Sequence, residues 1–248
     1  MRAMVLCAGF GTRLGDLTRE TPKPMLLLEG RPMLEYIIRH LAGQGFDQVA
    51  INLHFVPEIV QNYFGDGSKW NVKITYSYEP ELLGTAGGVK QMAEFLCQDD
   101  AFLIQYGDVL TDQDFQSMLK YHHQKQALAT LLLHKRSSSN SMVCLDEESR
   151  ITRFLERPMK EECQGVTSSW VNSGVAICSP AILNEIPADK PCDLPRDVYS
   201  RLAGNGNLYG FLLSGYRCAV DSPERLEQAR EVVRNSLIKL GPLPNDSS

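Results

Sequence analysis

No stretch of this chain approaches the roughly 18 consecutive apolar residues that a membrane-crossing helix needs, so no membrane partner is expected. It also has no run of lysine or arginine, and its formal charge is −5, which argues against a nucleic-acid binder working through a basic surface. Any anionic ligand must therefore find local cations. The seven cysteines, at positions 7, 97, 144, 163, 178, 192 and 218, include no Cys-x-x-Cys pair, and their odd number leaves at least one unpaired. Scattered reduced thiols and a cytoplasmic home are the expectation. Met1-Arg2 runs straight into a short apolar segment, which predicts no signal peptide, and no internal repeat is visible.

What is present is ordinary globular material: 248 residues, 43% hydrophobic and 22% charged, enough for one large α/β domain or two intimate lobes. Ala3–Leu6 reads as a buried strand. Met33, Ile37, Ile38 and Leu41 mark one face of a helix closed by Gly43 and Gly45. Val49–Leu53 reads as a strand, Glu58–Phe64 as a helix and Val72–Tyr78 as a third strand. Strand, helix, strand, helix, strand at this spacing predicts a parallel sheet with crossover helices, whose ligands sit beyond the carboxyl ends of the strands. His54, at such an end, is an ordinary packing or surface residue on this reading.

Two glycine clusters fall at that edge. After the first strand come Gly9 and Gly11, where main-chain N–H groups can approach a phosphate, and then Thr12 and Arg13, a hydroxyl donor and a cationic fork. Ten residues on, Lys23 stands between Pro22 and Pro24, which restrict the backbone on both sides and present its ammonium from a stiff segment. The package reads as a polyphosphate cradle with two cations. It is neither a Walker loop nor a full dinucleotide fingerprint, since Leu14 stands where the third glycine would fall. The second cluster, Gly84-Thr85-Ala86-Gly87-Gly88, opens a helix running to about Leu96, with Thr85 as its expected cap and an uncovered amino terminus. Upstream, Glu79 could accept from a pair of N–H donors such as guanine offers. A fourth strand, Ala101–Tyr106, ends in Gly107-Asp108, a glycine that leaves room for a ligand and a carboxylate suited to a hard cation that bridges phosphates.

The run Gly9-Phe10-Gly11-Thr12-Arg13-Leu14, followed by Pro22-Lys23-Pro24, resembles the G-x-G-T-R-L…P-K-P signature of the sugar-1-phosphate nucleotidylyltransferases. Leu83-Gly84-Thr85-Ala86-Gly87 resembles that family's base-facing segment, and its likeness is closest to the mannose-1-phosphate guanylyltransferase-like branch. The resemblance implies a Rossmann-like α/β fold, a mixed, mainly parallel sheet flanked by helices. It implies a nucleotide site at Leu6, Ala8, Gly9, Gly11, Thr12, Glu79, Gly84 and Thr85, and Mg²⁺ held by Asp108. Arg13 would neutralise the departing pyrophosphate and Lys23 the α-phosphate.

Past the helix Gln113–Lys125, whose His122-His123 is expected to be a solvated end, the chain turns strand-rich. Leu128–His134 reads as a strand, Ser137–Ser139 as a mobile loop, and Met142–Leu145 with Ile151–Leu155 as a hairpin. Phe154-Leu155-Glu156-Arg157-Pro158 resembles the family's F-x-E-K-P, with a planar guanidinium in place of an ammonium. Asn140-Ser141 stands where the family has Tyr-Gly. Asn172-Ser173-Gly174 resembles its N-x-G sugar contact, although Asn before Gly-x is also plain turn chemistry. Gly107, Glu156, Arg157 and Asn172 are the sugar-phosphate residues implied. Leu208–Leu213 and Tyr216–Val220 are expected to close the sheet as antiparallel strands. Pro223–Leu240 reads as a helix with Leu226, Ala229, Val233 and Leu237 inward. Where many relatives have W-x-D-x-G-T-P-E, this chain has Arg217-Cys218-Ala219-Val220-Asp221-Ser222-Pro223-Glu224. Ala219 then falls at the metal position, and Asp221 is expected to complete the metal site opposite Asp108.

The expected organisation is one nucleotidyltransferase domain, 1–240, with a nucleotide-binding half (1–125), a sugar-binding half (126–240) and a disordered tail (241–248). The expected activity joins a nucleoside triphosphate, GTP somewhat ahead of UTP or dTTP, to a sugar 1-phosphate and releases pyrophosphate, in a protein that could be a homo-oligomer. A nucleotide-sugar-binding or regulatory homologue and a glycosyltransferase are the alternatives. Arg13, Lys23 and Asp108 are all present, which weighs against the first. Asp112-Gln113-Asp114 lies past the strand end, which weighs against the second.

Overall fold

The computed structural model describes residues 1–136, 141–159, 161–163, 166, 168–188 and 190–238. Ser137–Ser139, Asn140, Leu240 and the tail 241–248 lie outside them. In chain order the elements are β1 (Arg2–Leu6), the two-residue strands β2 (Leu27–Leu28) and β3 (Arg31–Pro32), α1 (Met33–Gly43), β4 (Gln48–Leu53), α2 (Pro57–Phe64) and β5 (Lys73–Tyr78). Next come α3 (Gly84–Gln91), α4 (Ala93–Leu96), β6 (Phe102–Tyr106), β7 (Val109–Thr111), α5 (Phe115–Lys125), β8 (Ala129–Lys135), β9 (Ser141–Leu145) and β10 (Ile151–Glu156). The last are β11 (Trp170–Cys178), α6 (Ser200–Leu202), β12 (Leu208–Leu212), β13 (Arg217–Ala219) and α7 (Pro223–Arg234). The fold is α/β, a mixed, mainly parallel sheet flanked by helices, as the alternation of elements predicts.

The chain forms two compact units, the first from Met1–Leu82, Gln105–Asp114 and the stretch from Ser214 onward. In it β1 pairs with β4 and β4 with β5, both parallel, so Leu6, Asn52 and Ser77 stand in register near the carboxyl ends of neighbouring strands. Ala3, Met4, Val5, Val49, Ala50 and Ile51 are wholly buried because a parallel sheet covered on both faces leaves no polar side. Burying each larger aliphatic side chain contributes about 1.5–3 kcal/mol. Met33, Ile37, Ile38 and Leu41 of α1 are buried as their spacing predicts. β7 and β13 form a separate antiparallel ladder, with Ala219 opposite Val109 and Arg217 opposite Thr111. The expectation that β13 would join the main sheet is corrected by that pairing. The last helix stops at Arg234 rather than Leu240, with Leu226 and Ala229 buried and Leu237 exposed, not inward. Ile238 is the buried residue there.

The second unit comprises Leu83–Ile104 and Phe115–Leu213. Within it β8 is central, antiparallel to β11 and parallel to β12. β12 was expected to be antiparallel, but the chain crosses over through the helical turns at Pro180–Glu185 and Leu194–Leu202 before it returns. Hairpin β9–β10 forms as expected, and Asp146 Oδ1 closes its turn by accepting from the N–H groups of Glu148 and Arg150. The helix expected from Gly84 to Leu96 is broken at Met92 into α3 and α4. His122 is buried, not solvated, and its two ring nitrogens meet Thr130 Oγ1 at 3.0 Å and Ser179 Oγ at 3.1 Å.

Candidate active site

In the first unit the cradle begins where β1 ends. Gly11 takes φ +67°, and a Cβ there would stand 3.0 Å from Lys23 Cβ and 3.2 Å from Thr18 Cγ2. Only glycine lets the loop close onto Lys23 in this way. Thr18 donates its hydroxyl to Gly11 O or Gly15 O, 3.1 and 3.2 Å away, and so ties the loop to itself. Lys23 opens a tight turn in which Met25 N–H donates to Pro22 O and Leu26 N–H to Lys23 O. Its side chain is only 10% exposed, and its ammonium donates to Asp108 Oδ2 at 2.5 Å.

Asp108 is placed by a turn that Gln105 braces through its side-chain amide on Val109 O. Gly107 packs against β1: its N–H donates to Leu6 O, and a Cβ would meet Cys7 Sγ at 2.5 Å and Leu6 O at 2.9 Å. The reason for glycine here is thus this close packing, not room for a ligand. Val220 N–H donates to Asp108 O, so the β7–β13 ladder brings Asp221 beside the same turn. Asp221 Oδ2 accepts from Arg13 Nη1 at 3.1 Å, and Arg225 Nε lies 3.4 Å from Oδ1. The cap of α7 is Ser222, whose hydroxyl accepts from Arg225 N–H, so Asp221 is not spent as a helix cap.

Glu79 is not an exposed acceptor. It is buried, and its Oε1 accepts from Asn52 Nδ2 at 2.7 Å, while Asn52 Oδ1 accepts from Cys7 N–H at 2.7 Å. Asn52 therefore links Glu79 to the start of the cradle, a role the strand reading of Val49–Leu53 missed. A lone amide ending an apolar strand was the available signal. His54 Nδ1 lies 2.7 Å from Glu79 O, and because a carbonyl only accepts, that nitrogen carries the proton; Phe10 meets the same ring edge-on. Burial above all, with the charge of Asp108 adding to it, pushes the Cys7 thiol far up, so this cysteine stays protonated and is no nucleophile.

In the second unit Gly84, at φ +75°, opens α3 against the carbonyl of Cys192, which any Cβ would strike. That carbonyl accepts from the N–H groups of Ala86 and Gly87 at 2.9 and 3.1 Å, so the helix start is covered rather than open. Thr85 is not the cap, a position that falls on Leu83. Its hydroxyl donates to Asp193 Oδ2 and accepts from Leu194 N–H, which commits it to the crossing segment.

Glu156, at the end of β10, is half-buried, and burial raises its carboxyl above the usual range, with Arg157 opposing. Arg157 takes φ +49°, leaves its guanidinium exposed and approaches Glu156 Oε1 at 3.8 Å. A cavity of about 310 Å³ adjoins Glu156, lined also by Thr152, Arg153, Arg196 and Ser200. Asn172 sits in a bulge of β11, where its Oδ1 accepts from Gly174 N–H at 3.2 Å. The turn chemistry is therefore real, and it leaves the amide NH₂ as the donor end. Among the described residues no group of three or more His, Cys, Asp or Glu could hold a metal ion, and no helix is long and apolar enough to cross a membrane.

The nucleotidyl transferase family model matches residues 2–216. The chain belongs to this family. Among relatives of this nucleotidyl transferase, the UTP–glucose-1-phosphate uridylyltransferase of Synechocystis is 34% identical over 83% of the chain and 56% of its own length. The mannose-1-phosphate guanyltransferase of Yarrowia lipolytica is 30% identical over 98% of the chain and 66% of its own length. The chain thus spans a little over half to two thirds of these two curated relatives. In fold it matches HddC from Yersinia pseudotuberculosis with a TM-score of 0.79 at 21% identity, covering 94% of this chain and 99% of that one.

Proposed function

We propose that this nucleotidyl transferase is a sugar-1-phosphate nucleotidylyltransferase that joins a nucleoside triphosphate to a sugar 1-phosphate and releases pyrophosphate. The observation that carries the reading is Lys23, a buried ammonium held by two prolines, closed over by Gly11 and set against Asp108. In this reaction a phosphate oxygen of the sugar 1-phosphate attacks the α-phosphorus, the bond to the bridging oxygen of the β-phosphate breaks, and pyrophosphate leaves with that electron pair. The nucleophile is already anionic, so no general base is needed, and the protein's task is alignment and charge neutralisation.

Lys23 is assigned to the α-phosphate and Arg13 to the departing pyrophosphate. Leu6, Ala8, Gly9, Gly11 and Thr12 offer main-chain and hydroxyl contacts to the triphosphate, Glu79 supports that cradle through Asn52, and in the second unit Gly84 and Thr85 fix the start of α3. In the second unit Glu156, the exposed guanidinium of Arg157 and the amide NH₂ of Asn172 serve the sugar phosphate, while in the first Gly107 seats the Asp108 turn against β1. Asp108 and Asp221 are hard oxygen donors, and Mg²⁺ bound with a triphosphate commonly takes one or two carboxylates, so this pair fits it. When bound, the cation would neutralise phosphate charge.

A modest preference for GTP is proposed, supported by the guanylyl-transferring names among the relatives and by the complex of HddC with GMP-PN. Measuring pyrophosphate release with each common triphosphate against a panel of sugar 1-phosphates tests both points. Release from no pairing would overturn the activity, and a tenfold preference for UTP or dTTP over GTP would overturn the base assignment.

A further inference from the structure

Four charged groups in the first unit are paired in a way that does not match the roles just assigned to them. Lys23, meant for a phosphate, lies on Asp108 Oδ2, and Arg13, meant for the leaving pyrophosphate, lies on Asp221 Oδ2. Each cation thus occupies an oxygen that a divalent metal would need. Asp221 differs from Asp108 in having a second cation: Arg225 lies on its other oxygen and also donates to Ala219 O at 3.3 Å. Arg225 is half-buried in the first turn of α7, whereas the Arg13 side chain is 61% exposed on the short 3-10 turn Thr12–Thr18, which is interrupted at Gly15. One partner of Asp221 is anchored and the other can leave.

We infer that the ligand-free protein stores Lys23 and Arg13 on its two metal carboxylates, and that the divalent cation entering with a triphosphate exchanges with them. Both side chains are then freed toward phosphate in the same event. Arg225 keeps Asp221 in place throughout as a positioning residue. The inference rests on the metal assignment proposed above. The exchange is balanced in charge: the dication replaces two monocations on the two carboxylates, and the phosphates take up the cations displaced. A triphosphate arriving without metal finds both cations occupied, and a metal arriving without triphosphate must displace them into solvent. Each ligand is therefore weakened alone and strengthened by the other, which is a coupling free energy between metal and nucleotide.

The test is Mn²⁺ binding by calorimetry in the absence of nucleotide, so that turnover plays no part. Lys23→Met and Arg13→Met are each expected to bind Mn²⁺ about tenfold more tightly than the unaltered chain, and Asp108→Asn to lose the site. Arg225→Met removes the same charge from the fixed side of Asp221 and is expected to give no tightening. Equal tightening in all three cation variants would mean general electrostatics and would overturn the exchange, as would tightening in none. A second measurement needs no variant: saturating Mn²⁺ should raise acylation of the Lys23 amine, and an unchanged labelling rate would likewise overturn it. Pyrophosphate release with unaltered Mn²⁺ affinities would leave the transferase reading standing while this inference fell.

Discussion

On the proposed reading Lys23 bears directly on the transferred phosphate. Its replacement by alanine is expected to lower turnover by two or more orders of magnitude while the circular dichroism spectrum stays native, since one charge-assisted contact made in the transition state is worth roughly 3–4 kcal/mol. Near-normal turnover would remove it from the mechanism. Gly11→Ala should act on the same ammonium indirectly. The new methyl group meets Lys23 Cβ at 3.0 Å in a backbone conformation disfavoured for alanine, so a loss of about 1 kcal/mol in urea stability should come with a larger loss in turnover. At this scale the special backbone at Gly11 and around Lys23 was legible, because glycine and proline leave their mark in the chain through liberated or restricted dihedrals. The buried link from Cys7 through Asn52 to Glu79 was not. An amide and a carboxylate that satisfy each other look, in a sequence, like two unrelated polar residues.

Among the elements, α3 shows how a local pattern can be read correctly and still mislead. Its glycines and threonine do mark a helix start, but the amides they expose are taken by Cys192 O, more than a hundred positions along the chain. Gly84→Ala would drive a Cβ into that carbonyl at a positive φ, and a destabilisation of about 2 kcal/mol or more in denaturant titration is expected. A shift within about 0.5 kcal/mol would mean the crossing segment yields easily. The strands of the first half were readable for a simple reason. Apolar runs separated by amphipathic helices admit few arrangements other than parallel pairing. The later strands were harder: β12 and β13 are short, and their partners depend on crossovers with no periodicity to betray them.

For the molecule as a whole, acid should be more damaging than its many carboxylates alone would suggest. His122 is held neutral, its pKa lowered to about 4 chiefly by burial, and burial lowers that of His40 as well. In the unfolded chain both would take up a proton near pH 6.5. A depressed pKa means stability that is complete above the unfolded value and lost as pH falls toward the folded one, by about 1.4 kcal/mol per unit for His122, with His40 acting in the same direction. Urea midpoints should therefore drop steadily from pH 7 to pH 5, a window in which ordinary carboxylates barely titrate, and His122→Gln should flatten the slope. A flat profile in the unaltered chain would mean that these rings are hydrated.

The first unit's assembly from three separated stretches, Met1–Leu82, Gln105–Asp114 and Ser214 onward, also sets an order in time. A ribosome adds roughly 5–20 residues per second, so Arg13 waits on the order of ten to forty seconds for the aspartate that will neutralise it. During synthesis the segment after β1 carries a guanidinium without the carboxylate it meets in the folded unit. That ion pair can close only once residue 221 has emerged, so it is among the last contacts of the first unit to become available.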